Sequence, residues 1–331
     1  MKVIKGLVFV SIFAIVALLI SKIDFVSNLG ISSLVIGIIL GMVYANTFAH
    51  KLPKEYDAGI TFAGKKVLRF AIVIYGFRIT FGEIYDVGFE GFLVALTMLA
   101  STFLIGSYAG IKWFGLDKET SLLNASGASV CGAAAVLATE GALKSETHKA
   151  AIAVSMVVLF GTIALFLYPF MYGLGILDLT DKQFGIYIGA TVHEVAQVVA
   201  IGGAFGDAVA NNAVIVKMTR VMLIAPMLIL LGLYLSMQTK SAKKAPLVIP
   251  WFAVYFIFVA GFNSLNLLPS NVVNLINEID MFLLTIAMSA LGIGTNFSKF
   301  KGYAKEAFKA ALVMFVWLVV GGYFVVKVFV S

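Results

Sequence analysis

Long apolar runs separated by short polar segments follow one another along the whole chain. Each run is close to the roughly 20 residues that an α-helix needs to cross a bilayer. The runs lack the alternation of apolar and polar residues that membrane β-strands show. The pattern predicts an all-α polytopic membrane protein with about eleven transmembrane helices. The expected helices are 1–21, 31–48, 67–81, 91–113, 120–141, 150–172, 182–203, 208–237, 250–268, 272–294 and 304–330.

The run 120–141 differs from the others because its middle is small and hydroxylated, with Asn124, Ser126, Ser129 and Gly132. Glycine, serine and asparagine interrupt helices readily. In lipid, an interrupted helix survives only where protein or a water-filled cavity satisfies the freed backbone groups. Such helices are typical of transporter binding sites. Close helix packing through small residues is the alternative. We favour the interrupted helix, since the asparagine and the hydroxyls cluster with the glycines.

A second run ends in a similar composition, with Gly292, Thr295 and Asn296 after Ser289. An extra N-terminal helix in 1–30, a first unit of five helices in 31–175 and a second in 182–331 put this run fourth in its unit, like 120–141. Consecutive units of five spans have opposite orientations. The sequence therefore predicts two inverted repeats whose discontinuous helices cross near the midplane of a single integral membrane domain.

Composition and charge support a membrane protein and give its orientation. The chain is 61% hydrophobic and only 12% charged, whereas soluble domains carry about 25% charged residues. Its net charge of +7 comes mostly from lysines in short loops, which is the positive-inside pattern and not a nucleic-acid interface. We expect a cytoplasmic N-terminus and an outer C-terminus. The single cysteine, Cys131, excludes an internal disulfide and a cysteine-based metal cluster.

Charged residues inside the apolar runs are candidate functional residues, because burying a charge in a membrane is costly. Lys217 and Arg220 are three positions apart and share a helix face. The alternative for both is an ion pair with Glu194. Arg78 lies near the predicted outer end of its helix, where a substrate contact and an interfacial anchor are equally good interpretations.

His193, Glu194 and Gln197 can line one side of a helix. A zinc-protease motif would need a second histidine at position 197, so we expect no metal. A histidine beside a buried carboxylate suits proton coupling, and a structural polar cluster is the alternative. Ser126 or Cys131 with His193 could also form a hydrolytic dyad, although no third orienting group is evident.

Several patches together resemble one family. They are Gly76-Phe-Arg-Ile-Thr80, Ala128-Ser-Val-Cys-Gly-Ala-Ala-Ala135, Val192-His-Glu-Val-Ala-Gln-Val198, Val216-Lys-Met-Thr-Arg220 and Ala290-Leu-Gly-Ile-Gly-Thr-Asn296. The chain resembles, over nearly its whole length, the YeiH-like family of bacterial inner-membrane proteins, which carries the label of sulfate exporters. The positions that match its motifs are Arg78, Ser129, Cys131, Gly132, His193, Glu194, Gln197, Lys217 and Arg220.

The resemblance implies a transporter of the bacterial inner membrane. It also implies a relation to the fold group of bile-acid/sodium symporters and sodium/proton antiporters, with crossing helices. Antiporters of that group carry acidic residues beside their crossing helices, and neither segment expected to break here has one at its middle. This difference favours an anionic substrate over plain cation exchange.

We therefore expect a secondary active transporter of a small anion, such as sulfate or a related sulfonate or organic anion, and not an enzyme. It would need no cofactor, would be coupled to protons or sodium, and would have the lipid bilayer as its surroundings; a homodimer stays open. A cation antiporter using Glu194 and a membrane hydrolase are the alternatives. The expected substrate contacts are Asn124, Ser126, Ser129, Gly132, Lys217, Arg220, Arg78, Gly292, Thr295 and Asn296, and the expected coupling residues are His193, Glu194 and Gln197.

Overall fold

The secondary structure in the described part of the chain is entirely helical. This computed structural model describes residues 2–23, 26, 32–48, 53–239, 250–295 and 305–330. The helices are α1 (Lys2–Ser21), α2 (Ser33–Thr47), α3 (Asp57–Phe62), α4 (Leu68–Tyr75), α5 (Phe81–Tyr108), α6 (Lys118–Ser129), α7 (Ala133–Leu143), α8 (Thr147–Gly173), α9 (Asp181–Thr191), α10 (Val195–Gly203), α11 (Asp207–Met222), α12 (Ile224–Thr239), α13 (Trp251–Ser264), α14 (Ser270–Gly294), α15 (Lys305–Val316) and α16 (Gly322–Phe329).

Six helical segments in these ranges are long and apolar enough to span a membrane. They are Val3–Ser21, Phe81–Trp113, His148–Gly173, Asp207–Tyr234, Ser270–Gly294 and Lys305–Phe329. The chain is therefore a polytopic helical membrane protein, as the apolar runs predict.

The helices form two compact units, each built from separate parts of the chain. Unit one contains Met1–Ile84, Gly203–Gly206 and Trp251–Lys301, and unit two contains Tyr85–Gly202, Asp207–Pro250 and Gly302–Ser331. Both units take segments from each half of the sequence. The units thus differ from the predicted repeats 31–175 and 182–331, whose boundaries stay a prediction.

In unit one, α1 is part of the buried core. Val10 and Ala14 pack in one cluster with Ala63, Ile286 and Ala290. The first helix therefore contributes buried contacts to α14.

The small residues near the end of α14 pack closely against α2 and do not break the helix. A Cβ on Gly292 would collide with the carbonyl of Ile38, and one on Gly41 with the carbonyl of Ser289. The helix is continuous to Gly294, and the Ser289 hydroxyl donates to the carbonyl of Thr285 at 2.9 Å. The prediction of a discontinuous helix at 289–295 is wrong, because these small residues serve close helix packing. Asn296 lies outside the described residues.

In unit two, α6 and α7 form a hairpin (hairpin one, 118–143) and not a crossing helix. The ammonium of Lys149, in the first turn of α8, lies 3.0 Å from the Asp117 carboxylate and 2.9 Å from that of Glu119, at the start of α6. Both ends of the hairpin are therefore at the same end of the unit. A Cβ on Gly127 would lie 2.7 Å from a methyl of Val136, so the two arms pack side by side.

The segment α9–α10 also folds back on itself (hairpin two, 181–203). Going along α9, Gly185 faces Val209 and Asn212 of α11, and Gly189 then faces Val216. This sequence of contacts makes α9 parallel to α11. Gly202, at the end of α10, returns to Ala210 near the start of α11.

The two hairpins enter unit two from opposite ends. Hairpin two starts and ends beside the first turns of α11. Hairpin one starts at the far end of α12, where the Lys118 ammonium lies 4.8 Å from the Tyr234 ring centroid.

The segments 120–141 and 182–203, each predicted as a single span, are folded back as hairpins in the structure, so the count of eleven crossing helices is not confirmed. Each arm has 9–12 residues. At about 1.5 Å per residue it reaches roughly half of a 30 Å hydrocarbon core.

Candidate functional site

The tips of the two hairpins meet in the middle of unit two. The first tip is residues 130–132, and the second is residues 192–194, where α9 gives way to α10. Gly132 has φ +76°, and a Cβ there would lie 2.8 Å from Cγ of Glu194 and 2.9 Å from a methyl of Val157. Only glycine fits this backbone and this close approach.

Lys217 joins the two tips. Its completely buried side chain donates to the carbonyl oxygens of Val130 and Val192, each at 2.7 Å. One ammonium group thus bonds to both tips at once.

Arg220, one turn further along α11, bonds to the ends of the same two helices. Its guanidinium donates to the Ser129 carbonyl at 2.6 Å and to that of Ala128 at 3.2 Å, at the end of α6. It also donates to the carbonyls of Gly189 and Val192 at 3.4 Å, at the end of α9.

The two cations therefore neutralise the carboxyl ends of α6 and α9. The last carbonyls of a helix lack intrahelical donors and carry about half a negative charge. The alternative of an ion pair with Glu194 is not found, because in the described residues neither cation lies within salt-bridge distance of that carboxylate and both bond to backbone carbonyls.

Glu194 lies at the amino end of a helix, α7, and not at a carboxyl end. A Cβ on Gly132, the N-cap of α7, would lie 3.3 Å from the carboxylate oxygen Oε1 of Glu194, so this carboxylate lies beside the first N–H groups of α7. The amino end of a helix attracts anions. Glu194, which is only partly buried, thus places a carboxylate from the second tip on the first hairpin.

His193 and Gln197 complete the second tip. Gln197 accepts the Glu194 N–H at 3.2 Å, as the third residue of a helix often does for the N-cap. His193 is 3% exposed, its ring centroid lies 6.2 Å from that of Phe315, and its Nδ1 has no hydrogen-bond partner in the described part of the chain.

Three further predicted contacts in hairpin one hold its structure. Asn124 donates to the Ala307 carbonyl of α15 at 3.0 Å. The Ser126 hydroxyl donates to the Leu123 carbonyl at 2.9 Å, and the Ser129 hydroxyl to the Ser126 carbonyl at 3.3 Å. Asn124 and Ser126 are thus committed to helix contacts away from the tip, while Ser129 meets Arg220 through its carbonyl.

The structure therefore brings together Ser129, Gly132, Lys217 and Arg220 with all three expected coupling residues. Arg78, Gly292 and Thr295 belong to unit one instead. Arg78 forms an ion pair there with Asp280 at 3.3 Å, a residue that the sequence analysis did not single out. The available signal for Asp280 was a carboxylate well inside a predicted membrane helix.

Comparisons with known proteins agree with a membrane protein of this kind. The profile described as conserved hypothetical protein 698 matches residues 5–312. An Escherichia coli K12 protein named UPF0324 inner membrane protein YeiH is 48% identical over 321 residues, covering 96% of this chain and 92% of that relative. A UPF0324 membrane protein of Bacteroides thetaiotaomicron is 44% identical over 328 residues and 97% of both chains. A third, from Bordetella pertussis, is 43% identical over 98% of this chain and 94% of the relative. Family profile, relatives and apolar helices agree, and the chain belongs to the YeiH-like (UPF0324) family of bacterial membrane proteins.

Proposed function

We propose that the protein is a secondary transporter of a small anion and that the anion binds between the two hairpin tips. The observation that carries the proposal is the charge at these tips. Two buried cations, Lys217 and Arg220, share the site with one carboxylate, Glu194.

The helix ends at the site compensate one another. The carboxyl ends of α6 and α9 contribute about half a negative charge each, and the amino ends of α7 and α10 about half a positive charge each. With neutral His193, the two cations and the single carboxylate then leave one positive charge in excess. An uncompensated charge is costly away from water, so a bound anion would stabilise the tips.

The amino end of α10 is the best binding site for that anion. The first N–H groups of a helix have no intrahelical acceptor. At α7 the carboxylate of Glu194 lies beside such groups. At α10, no hydrogen bond links a described side chain to the N–H groups of Val195 and Ala196, and the buried Nδ1 of His193, two residues before Val195, is unpaired in the described part of the chain. The amino end of α7 is thus occupied by the carboxylate of Glu194, and the amino end of α10 would be occupied by the substrate anion.

Two hairpins that enter from opposite ends suit alternating access. Separating hairpin one from α11 would open the tips toward one end of unit two, and separating hairpin two would open them toward the other end. Helical hairpins of 9–12 residues an arm can move as units, because each is joined to the fold through its base. We propose that transport alternates between these two openings, with export as one direction it allows.

His193, Glu194 and Gln197 are the proposed coupling residues. Glu194 lies at the amino end of α7, and protonation of its carboxylate would remove the attraction of a negative charge to that end. Proton binding would thereby loosen the contact between the second tip and hairpin one. A structural polar cluster is the alternative, and the pH dependence of transport distinguishes the two.

Transport of an anion is favoured over both rival functions. A cation antiporter would need a site with excess negative charge, and the charges at the tips sum to the opposite sign. A hydrolase would need a nucleophile bonded to its base. In the described residues, His193 has no hydrogen bond to Cys131 or Ser126, and the Ser126 hydroxyl is bonded to its own helix.

Flux into proteoliposomes tests the proposal. We expect the purified protein to support saturable uptake of labelled sulfate or of another small oxyanion, competed by related anions. His193→Ala should weaken anion binding about tenfold to a hundredfold, since a hydrogen bond to a charged group contributes about 1.5–3 kcal/mol. His148→Ala is the matched control, because the His148 side chain is 64% exposed. Flux of cations without any anion requirement would overturn the proposal and favour the antiporter.

A further inference from the structure

Unit one contains a buried polar cluster that the proposed function does not use. The Asp280 carboxylate is completely buried in the middle of α14. Arg78 donates from Nε to its Oδ2 at 3.3 Å and from a terminal nitrogen to the backbone carbonyl of Asn277 at 2.7 Å. Asp280 is thus held on one oxygen only.

The other carboxylate oxygen is unsatisfied. Oδ1 of Asp280 and Oδ1 of Asn277 are both buried, and neither has a hydrogen-bond partner in the described residues. The two residues are three positions apart and share a helix face. Two buried acceptors without a donor are costly, and a proton on Asp280 would let that oxygen donate to the Asn277 amide.

Polar residues of α14 extend from a surface pocket toward this pair. The pocket lies where α13 meets α14, has a volume of about 160 Å³, and is lined by Asn263, Asn266, Ser270, Asn274 and apolar neighbours. This volume has room for several water molecules. Asn274, Asn277 and Asp280 follow one another at three-residue intervals along α14, so the polar face continues from the pocket to the buried carboxylate.

The surrounding charges leave Asp280 with a single charged neighbour. Arg78 is the charged residue that contacts it in the described part of unit one. The segment Ala63–Val67, with Lys65 and Lys66, packs further along α14, where Gly64 meets Leu291 and Ala290. Neither α2 nor α13 contains a charged residue, Arg69 of α4 lies over the Phe252 ring, and Glu278 on α14 itself is exposed.

We propose that Asp280 is a proton-binding site reached from the α13–α14 pocket. Water in the pocket supplies the proton, which forms an O–H bond at Oδ1, and no other covalent bond changes. The neutral acid then donates to Asn277 and no longer attracts Arg78 as a charge. The site stands independently of the anion proposed for the hairpin tips.

A monovalent cation fits this cluster less well. Sodium needs several oxygen ligands, whereas the pair presents two free oxygens. The guanidinium of Arg78 beside them would also repel a second cation. A single proton satisfies both oxygens without further ligands.

Infrared difference spectroscopy of the full-length protein in lipid tests the site without measuring transport. Between about pH 4 and about pH 9, we expect a protonated-carboxyl C=O band that shifts on deuteration. Asp280→Asn should remove this band, whereas Glu278→Gln should leave it, because Glu278 is only two residues away but is exposed. If Asp280→Asn does not fold, Asp280→Glu provides the second readout, because it should move the frequency of the same band. A band that persists in Asp280→Asn, one that does not move in Asp280→Glu, or the absence of any titrating band would show that Asp280 and Arg78 are a fixed ion pair.

Discussion

The ammonium of Lys217 lies 2.7 Å from the carbonyl oxygen of Val192, at the point where α9 ends and the second tip begins. The same nitrogen holds the first tip through Val130 at the same distance. A single buried side chain therefore joins two hairpins that enter unit two from opposite ends. This contact explains why a lysine is retained deep inside an apolar helix.

Lys217→Met should destabilise the protein. Two carbonyls would lose their donor, and a buried unsatisfied acceptor costs about 1–3 kcal/mol. Thermal unfolding of the purified protein measures the loss. Lys182→Met is the control, because it removes a partly exposed ion pair with Glu90 that contributes about 0–1 kcal/mol. Equal melting temperatures for the two variants would contradict the joining role of Lys217.

Gly132→Ala and Gly141→Ala should have opposite effects. At position 132 the positive φ and the close approach of Glu194 and Val157 should make alanine destabilising by about 1–3 kcal/mol. At position 141 a Cβ meets nothing within 4 Å, so alanine should stabilise helix α7 by about 0.5–1 kcal/mol. Thermal melting of both variants tests the geometry of the first tip. A neutral Gly132→Ala would show that the tip is not built as described.

Lys118 and Lys144 should be accessible from the same side of the membrane. They lie at the two ends of hairpin one, whereas a crossing helix would put them on opposite sides. Single cysteines at these positions in a Cys131→Ala background, labelled with a membrane-impermeant thiol reagent, give the side directly. A cysteine at Asp178 should label from the other side, beyond α8. If positions 118 and 144 are labelled from opposite sides of the membrane, the segment is a crossing helix and not a hairpin.

Terminal orientation is a separate prediction from the charge of the loops. Because hairpin one folds back, Lys144 and Lys149 lie on the same side as Lys118. This side is the predicted cytoplasmic side, so these lysines strengthen the positive-inside asymmetry. Reporter fusions after Lys243 and at Ser331 should therefore report opposite sides, with the first in the cytoplasm. Reports from the same side would mean that the number of spans is wrong.

The apolar runs predicted most helices and the membrane, because length and hydropathy are local properties of the chain. The fold-back of 118–143 and 181–203 was not predictable in this way. Both segments are as long as a span, and only contacts such as Lys149 with Asp117 distinguish a hairpin from a crossing. Gly292 shows a second limit of prediction from composition. A run of small residues that breaks a helix has the same composition as one that lets two helices pack closely. The charged residues of the tips were found because charge is rare in apolar runs, but their bonding to carbonyl ends depends on the tertiary fold.

Glu194→Gln should flatten the pH dependence of flux while substrate binding is retained. The change removes the ionisable group at the amino end of α7 and keeps a hydrogen-bond acceptor there. Uptake measured over a series of pH values gives the profile. Glu146→Gln, at a side chain that is 72% exposed, controls for the loss of a carboxylate elsewhere. An unchanged profile in Glu194→Gln would return His193, Glu194 and Gln197 to a structural role.

Calorimetric titration of small oxyanions, beginning with sulfate, into the folded protein and its charge variants tests whether an anion binds between the two hairpin tips. If one excess positive charge between the tips holds the anion, Lys217→Gln and Arg220→Gln should lower the affinity about tenfold to a hundredfold. The charge-preserving Lys217→Arg should retain more of it, and Glu194→Gln should bind at least as tightly as the parent. Equal affinity in the parent, Lys217→Gln and Arg220→Gln would show that the two cations serve only the helix ends. Binding of a cation with no requirement for an anion would contradict an anion site between the tips.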